Sequence, residues 1–359
     1  MDEILKNLEK IQLNILSFIE KETSSDDDFQ EFNDLDLPNK DQYTEEILYL
    51  INGISVNHHR TPTFYPKIFK ILIQFKDQIK NNYSTRDILK IFKDKNILLF
   101  LLKEGILTKE NVDDKIFIEN IEKYSNFNEN EGPICEIIRK DSINEFISYI
   151  EQENIDLSSK IETSEFETNQ FLIKNKPSLI EYSAFFGSIN IFKYLIGKEK
   201  EISGSIWIYA IHGHNFEIIK LLEANNIKPK KDNYRNCLIE SIKCHHIEMS
   251  YYLHKKYNCK QSENENIDDY DDYDDEEEDF NKMDLISVSL KSRNYCFCGK
   301  QIITKIESIY YLCKYNYSLL VENYDIKKDD YIYINAATIS IFYFLNTVFK
   351  FSMIYIIQK

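Results

Sequence analysis

Three stretches near the middle of the chain align with one another: SLIEYSAFFGSINIFKYL (178–195), SIWIYAIHGHNFEIIKLL (205–222) and NCLIESIKCHHIEMSYYL (236–253). A small residue recurs at one position, as Ser183, Ala210 and Ser241. Apolar residues stand three positions before it, and eight and twelve positions after it. Self-similarity at a period of about 30 residues predicts a repeat architecture, in which each unit buries its apolar face against the next.

Each copy predicts two short helices joined by a turn. The small residue would let the first helix approach its neighbour closely. We expect this helix to begin at the N-cap residues Ser178, Ser205 and Asn236, whose side chains accept hydrogen bonds from orphan amides. It should end where a left-handed backbone is needed, and Gly187, His214 and His245 stand at that position.

The rest of the sequence predicts further helices, so the fold class is all-α. Only 8 glycines and 6 prolines occur in 359 residues. Apolar residues at helical spacing predict N-terminal helices over about 1–20, 44–56, 63–81, 85–93 and 95–103. EFISYI (145–150) reads as the second helix of an earlier, weaker repeat, and DLISVSLKS (284–292) as the first helix of a fourth. ESIYYL (307–312) reads as the second helix of that fourth repeat.

The repeats resemble the ankyrin repeat, although the Thr-Pro that opens its first helix is missing from all three copies. More narrowly, GPICEIIRKDSINEFISYIEQENIDLSS (132–159) followed by KNKPSLIEYSAFFGSINIFKYL (174–195) is similar to an ankyrin subfamily that is abundant in parasitic protists. That subfamily carries an N-terminal helical domain ahead of its repeats. The resemblance implies an ankyrin-type helical solenoid of stacked helix pairs and brings no enzymatic activity.

Four regions follow from these patterns. Residues 1–131 form an N-terminal α-helical domain, and 132–258 form the ankyrin-like repeats. Residues 259–282 hold an acidic disordered insertion, whose run ENENIDDYDDYDDEEED (263–279) could dock basic partners by charge. Residues 283–359 form degenerate C-terminal repeats or an apolar capping tail. Within the last region, YIYINAATISIFYFLNTVF (331–349) carries no charge; we favour a buried cap, and the alternative is a membrane tail anchor.

Charge and motif content exclude several classes of function. The 44 basic and 60 acidic side chains give a net charge of −16, which disfavours nucleic acid as a partner. The sequence contains no phosphate-binding glycine loop, nucleophile elbow or HExxH motif. We therefore expect no catalysis and no cofactor; an unrecognised enzyme in residues 1–131 is the alternative. Seven cysteines and a charged N-terminus predict free thiols and a cytoplasmic location.

Two groups of residues raise the question of a metal site. His212 is expected on the exposed end of its helix and His214 in the turn, so their side chains should diverge. No Cys or Asp is expected at a ligand distance from them, and we predict structural roles. Cys296 and Cys298 form a C-x-C pair without a second C-x-x-C pair, and free thiols are favoured there too.

The function predicted from the sequence is therefore that of a non-catalytic protein–protein interaction scaffold. A stack of helix pairs offers a concave face and inter-repeat loops to other proteins. A membrane-tethered ankyrin adaptor is the alternative. The candidate partner-binding residues follow the small residue or lie in the loops, and they are Phe185, Phe186, His212, Lys230, Lys231, Lys243 and Lys291.

Overall fold

The computed structural model describes residues 2–21, 40–61, 63–112, 129–162, 164, 166–199, 201–257, 285–297, 312, 315, 317, 319 and 320. Within these ranges the fold is all-α, as predicted. The N-terminal helices are α1 (Asp2–Glu20), α2 (Thr44–Asn57), α3 (Phe64–Ile73), α4 (Lys76–Asn82), α5 (Thr85–Ile91) and α6 (Lys95–Lys103). The sequence predicted a single helix over 63–81, but the structure breaks it at Gln74 and Phe75.

The following helices come mostly in pairs. The pairs are α7 (Pro133–Arg139) with α8 (Ile143–Gln152), α10 (Leu179–Phe185) with α11 (Ile189–Ile196), α12 (Ile206–His212) with α13 (Phe216–Ala224), and α14 (Tyr234–Lys243) with α15 (Ile247–Tyr257). A short helix, α9 (Gln170–Asn175), lies between the first two pairs, and α16 (Leu285–Lys291) begins a further unit. The predicted first helix over 284–292 and second helix over 145–150 are therefore present.

Local side chains explain where the first helices begin. The hydroxyl of Ser178 accepts from the Glu181 amide while the Glu181 carboxylate accepts from the Ser178 amide, which is a capping box. Ser205 also precedes its helix, but its hydroxyl donates to Glu181 instead of accepting from the helix. The predicted cap at Asn236 is wrong, because α14 begins three residues earlier and the side chain of Asn233 accepts from the Asn236 amide.

The turns between paired helices use a left-handed residue, as the sequence predicted. Gly187, His214 and His245 have φ of 68°, 50° and 59°. The same conformation occurs at Asp141 in the turn after α7 and at Arg293 after α16, with φ of 51° and 58°. A non-glycine residue with positive φ is uncommon, so its recurrence at equivalent turns marks the structural repeat.

The pairs stack into two rows. First helices contact one another in the order α7, α10, α12, α14 and α16, and the second helices α8, α11 and α13 contact in a parallel row. Ser183, Ala210 and Ser241 are fully buried where the first helices approach. The turns approach just as closely: a Cβ on Gly213 would overlap the carbonyl oxygen of Ala184 in the preceding unit.

Two large apolar cores result within the described residues. One fills the stacked pairs and contains the single tryptophan, Trp207. The other lies among the N-terminal helices and also takes in Ile286, Leu290 and Tyr295 from the last unit. The N-terminal helices therefore share an apolar core with the unit that begins at α16.

Several predicted features lie outside the described residues. They are the acidic insertion at 259–282, most of the second helix at 307–312, Cys298, and the uncharged run at 331–349.

Candidate functional site

Two of the candidate partner-binding residues are buried, so their predicted exposure is wrong. Phe185 is 5% exposed and His212 is 2% exposed. The reason is α9, whose Phe171 ring lies 6.0 Å from the Phe185 ring, 4.9 Å from Tyr209 and 4.6 Å from His212. Helix α9 therefore covers the first helices of two units.

The remaining candidates lie at or near the surface. Phe186 is half-buried, with the guanidinium of Arg139 5.8 Å from its ring centre. Lys243 is partly exposed and forms an ion pair with Glu240 at 3.0 Å. Lys230 and Lys231 are exposed in a single 3-10 turn of the loop before α14. Lys291, at the end of α16, is intermediate in exposure.

The N-terminal helices pack against the turn ends of the first helices. The imidazole Nδ1 of His58, just after α2, lies 2.7 Å from the carbonyl oxygen of Cys244. The Gln12 amide on α1 lies 3.1 Å from His245 Nδ1 and donates to Asn294 at 3.1 Å. A first helix of seven residues is about 10 Å long, so the inter-repeat loops lie at the opposite end from these contacts.

Histidines dominate this contact, which we call the histidine seam: His58, His59, His212, His214, His245 and His246. The rings of His214 and His246 stack with centroids 3.9 Å apart, and the His58 ring meets His246 edge-on at 4.9 Å. The carboxylate of Glu20 lies 3.2 Å from His58 Nε2 and 3.8 Å from His214 Nδ1. The seam thus joins α1 and the end of α2 to the turns of two adjacent units.

Burial favours the neutral form of four imidazoles of the seam. Loss of solvation lowers the pKa of His59 and of His245 to about 3, and it lowers the pKa of His214 and His246 as well. Burial alone would raise the pKa of Glu20, but its hydrogen bond to His58 and the nearby imidazoles lower it.

His212 sits between a thiol and a carboxylate. Its Nδ1 lies 3.4 Å from Cys244 Sγ, and its Nε2 lies 2.9 Å from Glu240 Oε1. The prediction that no cysteine stands near His212 is therefore wrong. Glu240 lies in the last turn of α14 and Cys244, four residues later, is its C-cap with helical backbone angles, which puts both side chains on one face. We call this arrangement the Cys–His–Glu relay.

The relay is the one set of three metal-ligand side chains that come within 4.8 Å of one another in the described part of the chain. One imidazole nitrogen faces the sulfur and the other lies close to the carboxylate on the far side of the ring. The Lys243 ammonium also forms an ion pair with the Glu240 carboxylate, with Nζ 3.0 Å from Oε2.

The electrostatics of the relay favour a neutral thiol. Burial raises the pKa of Cys244 well above its ordinary value, and the Glu240 charge raises it further. Burial alone would raise the pKa of Glu240, but Lys243 and His212 together bring it down to about 2. A fully buried neutral thiol has neither the charge nor the access that a nucleophile needs.

A second buried polar cluster ties the N-terminal helices to the segment after residue 129. Arg60 Nη1 donates to Glu129 at 3.0 Å and to Thr168 at 2.7 Å, and its Nη2 lies 3.5 Å from Asp94. Burial and the neighbouring Glu129 raise the pKa of Glu167 to about 8, so this carboxyl keeps its proton at neutral pH.

Some of these residues could have been noticed in the sequence. Gln12 interrupts the apolar stripe of α1 made by Leu5, Leu8, Ile15 and Ile19, and a polar residue inside such a stripe indicates a buried partner. Glu20 carries no comparable signal, because it follows the stripe at the exposed end of the helix.

None of the described helices combines the length and the apolar character needed to cross a bilayer. The chain matches no known family model, no curated protein and no solved structure.

Proposed function

We propose that the chain is a non-catalytic interaction scaffold, an ankyrin-type solenoid that binds other proteins along the edge formed by its inter-repeat loops. One observation carries the proposal. The N-terminal helices occupy the turn ends of the first helices, whereas the loop ends, with Lys230 and Lys231, face solvent. Repeat proteins bind partners on extended surfaces created by the stacking of their units, and the loop ends are the part of these first helices that the N-terminal helices leave open.

The ankyrin-type reading is supported by features that recur from unit to unit. The small buried residue returns at Ser183, Ala210, Ser241 and Ser289, and a left-handed residue follows four positions later each time. Helices of the same kind contact one another along two rows. These features require that neighbouring units share one packing geometry.

The charge of the loops suggests the chemistry of a partner. Lys228, Lys230 and Lys231 lie within four residues in the loop before α14, on a protein whose net charge is −16. Lys228 is paired with Asp232 at 2.9 Å. A basic loop on an acidic protein favours a partner segment that carries Asp or Glu, and complementary charge gives such an encounter specificity and speed.

The burial of the Cys–His–Glu relay supports the absence of thiol catalysis, because a substrate cannot reach Cys244 in this arrangement. The enzyme alternative for residues 1–131 and the cytoplasmic location remain predictions. The membrane-tethered alternative depends on 331–349, which lies outside the described residues.

The test is affinity capture from an extract of the parent cells, comparing three chains. Lys230→Gln with Lys231→Asn removes two loop charges, and Asn tolerates the left-handed backbone of Lys231, where φ is 56°. Lys80→Gln with Lys90→Gln removes two exposed charges from the N-terminal helices as the matched control. We expect the loop variant alone to lose a captured protein. Equal capture by all three chains would contradict binding at this edge.

A further inference from the structure

The histidine seam holds six of the seven histidines of the chain. The seventh, His254, is exposed on α15. Such a concentration at one contact makes the seam sensitive to protons, because histidine is the side chain that ordinarily changes charge between pH 5 and 8.

Two histidines of the seam, His245 and His246, form contacts that require a neutral ring. His58 differs, because its two nitrogens both face acceptors, the Cys244 carbonyl oxygen and the Glu20 carboxylate. Gln12 Oε1 accepts from the Cys296 amide, so its other atom is the NH2 group, which donates to His245 Nδ1. His245 Nδ1 must therefore carry a lone pair and no proton. Protonation of that nitrogen breaks the contact between α1 and the turn after α14.

His246 is constrained in a different way. Its Nδ1 lies 2.9 Å from the carbonyl oxygen of Ile211, which can only accept, so Nδ1 carries the hydrogen. Its Nε2 is then the nitrogen that a second proton would occupy. This atom is buried and has no hydrogen-bond partner in the described structure, so the added charge would be buried without an acceptor.

The charged groups around the seam offer little compensation. From α1, Glu20 faces His58 and His214, and from α14, Glu240 faces His212 but is already paired with Lys243. Two other titratable groups lie here. One is the thiol of Cys244, the C-cap of α14. The other is Arg60, which follows His59 in the chain and pairs with Asp94 and Glu129. Two carboxylates thus face three of the six imidazoles, and His214 and His246 stack too closely for both to be cations.

The other attachment of the N-terminal helices has a different character. At the last unit they share an apolar core with Ile286, Leu290 and Tyr295, and Glu46 of α2 forms a buried ion pair with Arg293. Mild acid does not weaken apolar packing of this kind. The apolar part of this attachment is therefore insensitive to mild acid, whereas the contacts of His245 and His246 depend on neutral rings. Burial raises the pKa of Glu46, so acid also weakens its ion pair with Arg293.

We propose that the histidine seam is a proton-operated latch: mild acid releases α1 and the end of α2 from the turns after α12 and α14, while the N-terminal helices stay attached to the unit that begins at α16. Opening exposes the backbone carbonyl oxygen of Cys244, which the His58 imidazole contacts in the closed seam. This regulation is independent of the partner-binding edge proposed above.

The size of the response follows from proton linkage. An open seam binds protons that the closed seam excludes, so a lower pH favours opening. A histidine whose pKa returns from about 3 to about 6.5 on opening shifts the equilibrium about tenfold between pH 7.5 and pH 5.5.

The experiment is hydrogen exchange of the full chain at pH 7.5 and pH 5.5, corrected for the intrinsic exchange rate. The reporters are the amides of His58, His214 and His246, which donate to Ile54, Ile211 and Ser241. We expect these amides to lose protection at least about tenfold at pH 5.5. The fluorescence of Trp207, fully buried in the stacked pairs, should stay unchanged.

A double variant, His245→Asn with His246→Asn, tests the assignment to the seam. Asn does not titrate, tolerates the left-handed backbone at 245, and can present an acceptor at 245 and a donor at 246. It should reduce the pH response at His58 and His214, because His59 still titrates, whereas the control His254→Asn should keep the full response. Equal protection of the unmodified chain at both pH values would overturn the latch without any variant. The latch would also be overturned if the fluorescence of Trp207 changed together with the loss of protection. An undiminished pH response in the double variant would overturn it as well.

Discussion

His214 and His246 lie face to face, with ring centroids 3.9 Å apart and planes inclined by 6°. They belong to the turns of consecutive units, so their stacking joins one turn directly to the next. The edge of His246 meets His58, which follows α2. The turns of two consecutive units are therefore joined by histidine side chains, and one of these also contacts His58 at the end of α2.

The packing of the first helices can be tested by Ala210→Leu. Ala210 is fully buried between neighbouring first helices, and three added carbon atoms have no space there. We expect a loss of about 1–3 kcal/mol in the free energy of unfolding, measured by urea denaturation. The matched control is Ala224→Leu at the exposed end of α13, which should stay within about 0.5 kcal/mol. Equal effects at both sites would argue against close packing at Ala210.

The attachment of α2 to the last unit can be tested by Glu46→Gln. The Glu46 carboxylate forms an ion pair with Arg293 and accepts from Tyr295 at 3.0 Å, all buried. The variant leaves a buried guanidinium without its counter-charge and should cost about 3–5 kcal/mol of stability. Glu104→Gln breaks a partly exposed pair with Lys76 and should cost about 1 kcal/mol or less. If Glu46→Gln lowers stability no more than Glu104→Gln does, then this ion pair does not join the N-terminal helices to the unit that begins at α16.

Because Glu167 is protonated in the folded chain, it makes the free energy of unfolding fall as the pH rises. Its pKa is raised to about 8, so the folded chain holds a proton that the unfolded chain releases above about pH 4.5. This contribution is complete below pH 4.5 and is lost as pH rises to 8, with a slope of at most about 1.4 kcal/mol per pH unit.

We therefore expect Glu167→Gln, which stays neutral, to become progressively more stable than the unmodified chain between pH 5 and pH 8.5. Urea denaturation across this range measures the difference in the free energy of unfolding. The control is Glu153→Gln, because Glu153 is an exposed residue at the C-terminal end of α8. A difference that does not change with pH would mean that Glu167 is ionised throughout.

The thiols provide a direct test of the relay. Cys244 is fully buried with a raised pKa, whereas Cys296 is partly exposed. Iodoacetamide at pH 8 should label Cys296 in the folded chain and label Cys244 only after denaturation, as read by peptide mass spectrometry. Rapid alkylation of Cys244 in the folded chain would identify an accessible, activated nucleophile and would favour the enzyme alternative.

Local patterns were predicted well because their causes are local. The helix pairs and the left-handed turn residues Gly187, His214 and His245 depend on spacing and on the conformational range of single residues. The misplaced cap at Asn236 has a local cause as well, since Asn233 competes for the same role three residues earlier.

Contacts between distant segments were not predicted. Helix α9 has six residues, too few for apolar periodicity to indicate it, yet its Phe171 buries Phe185 and His212. The relay joins His212 to a residue 32 positions away, and the contact of Gln12 with His245 spans 233 positions. No spacing rule reaches across such separations, so the seam became visible only in the fold.

The binding edge is tested most directly by the footprint of a captured partner. Hydrogen exchange of the full chain with and without that partner measures which amides gain protection. We predict gains in residues 201–205 and 225–233, the loops that lead into α12 and α14, and none at 55–60 or 212–214. Protection confined to the N-terminal helices or to the turn side, with both loops unchanged, would contradict a scaffold that binds along its inter-repeat loops.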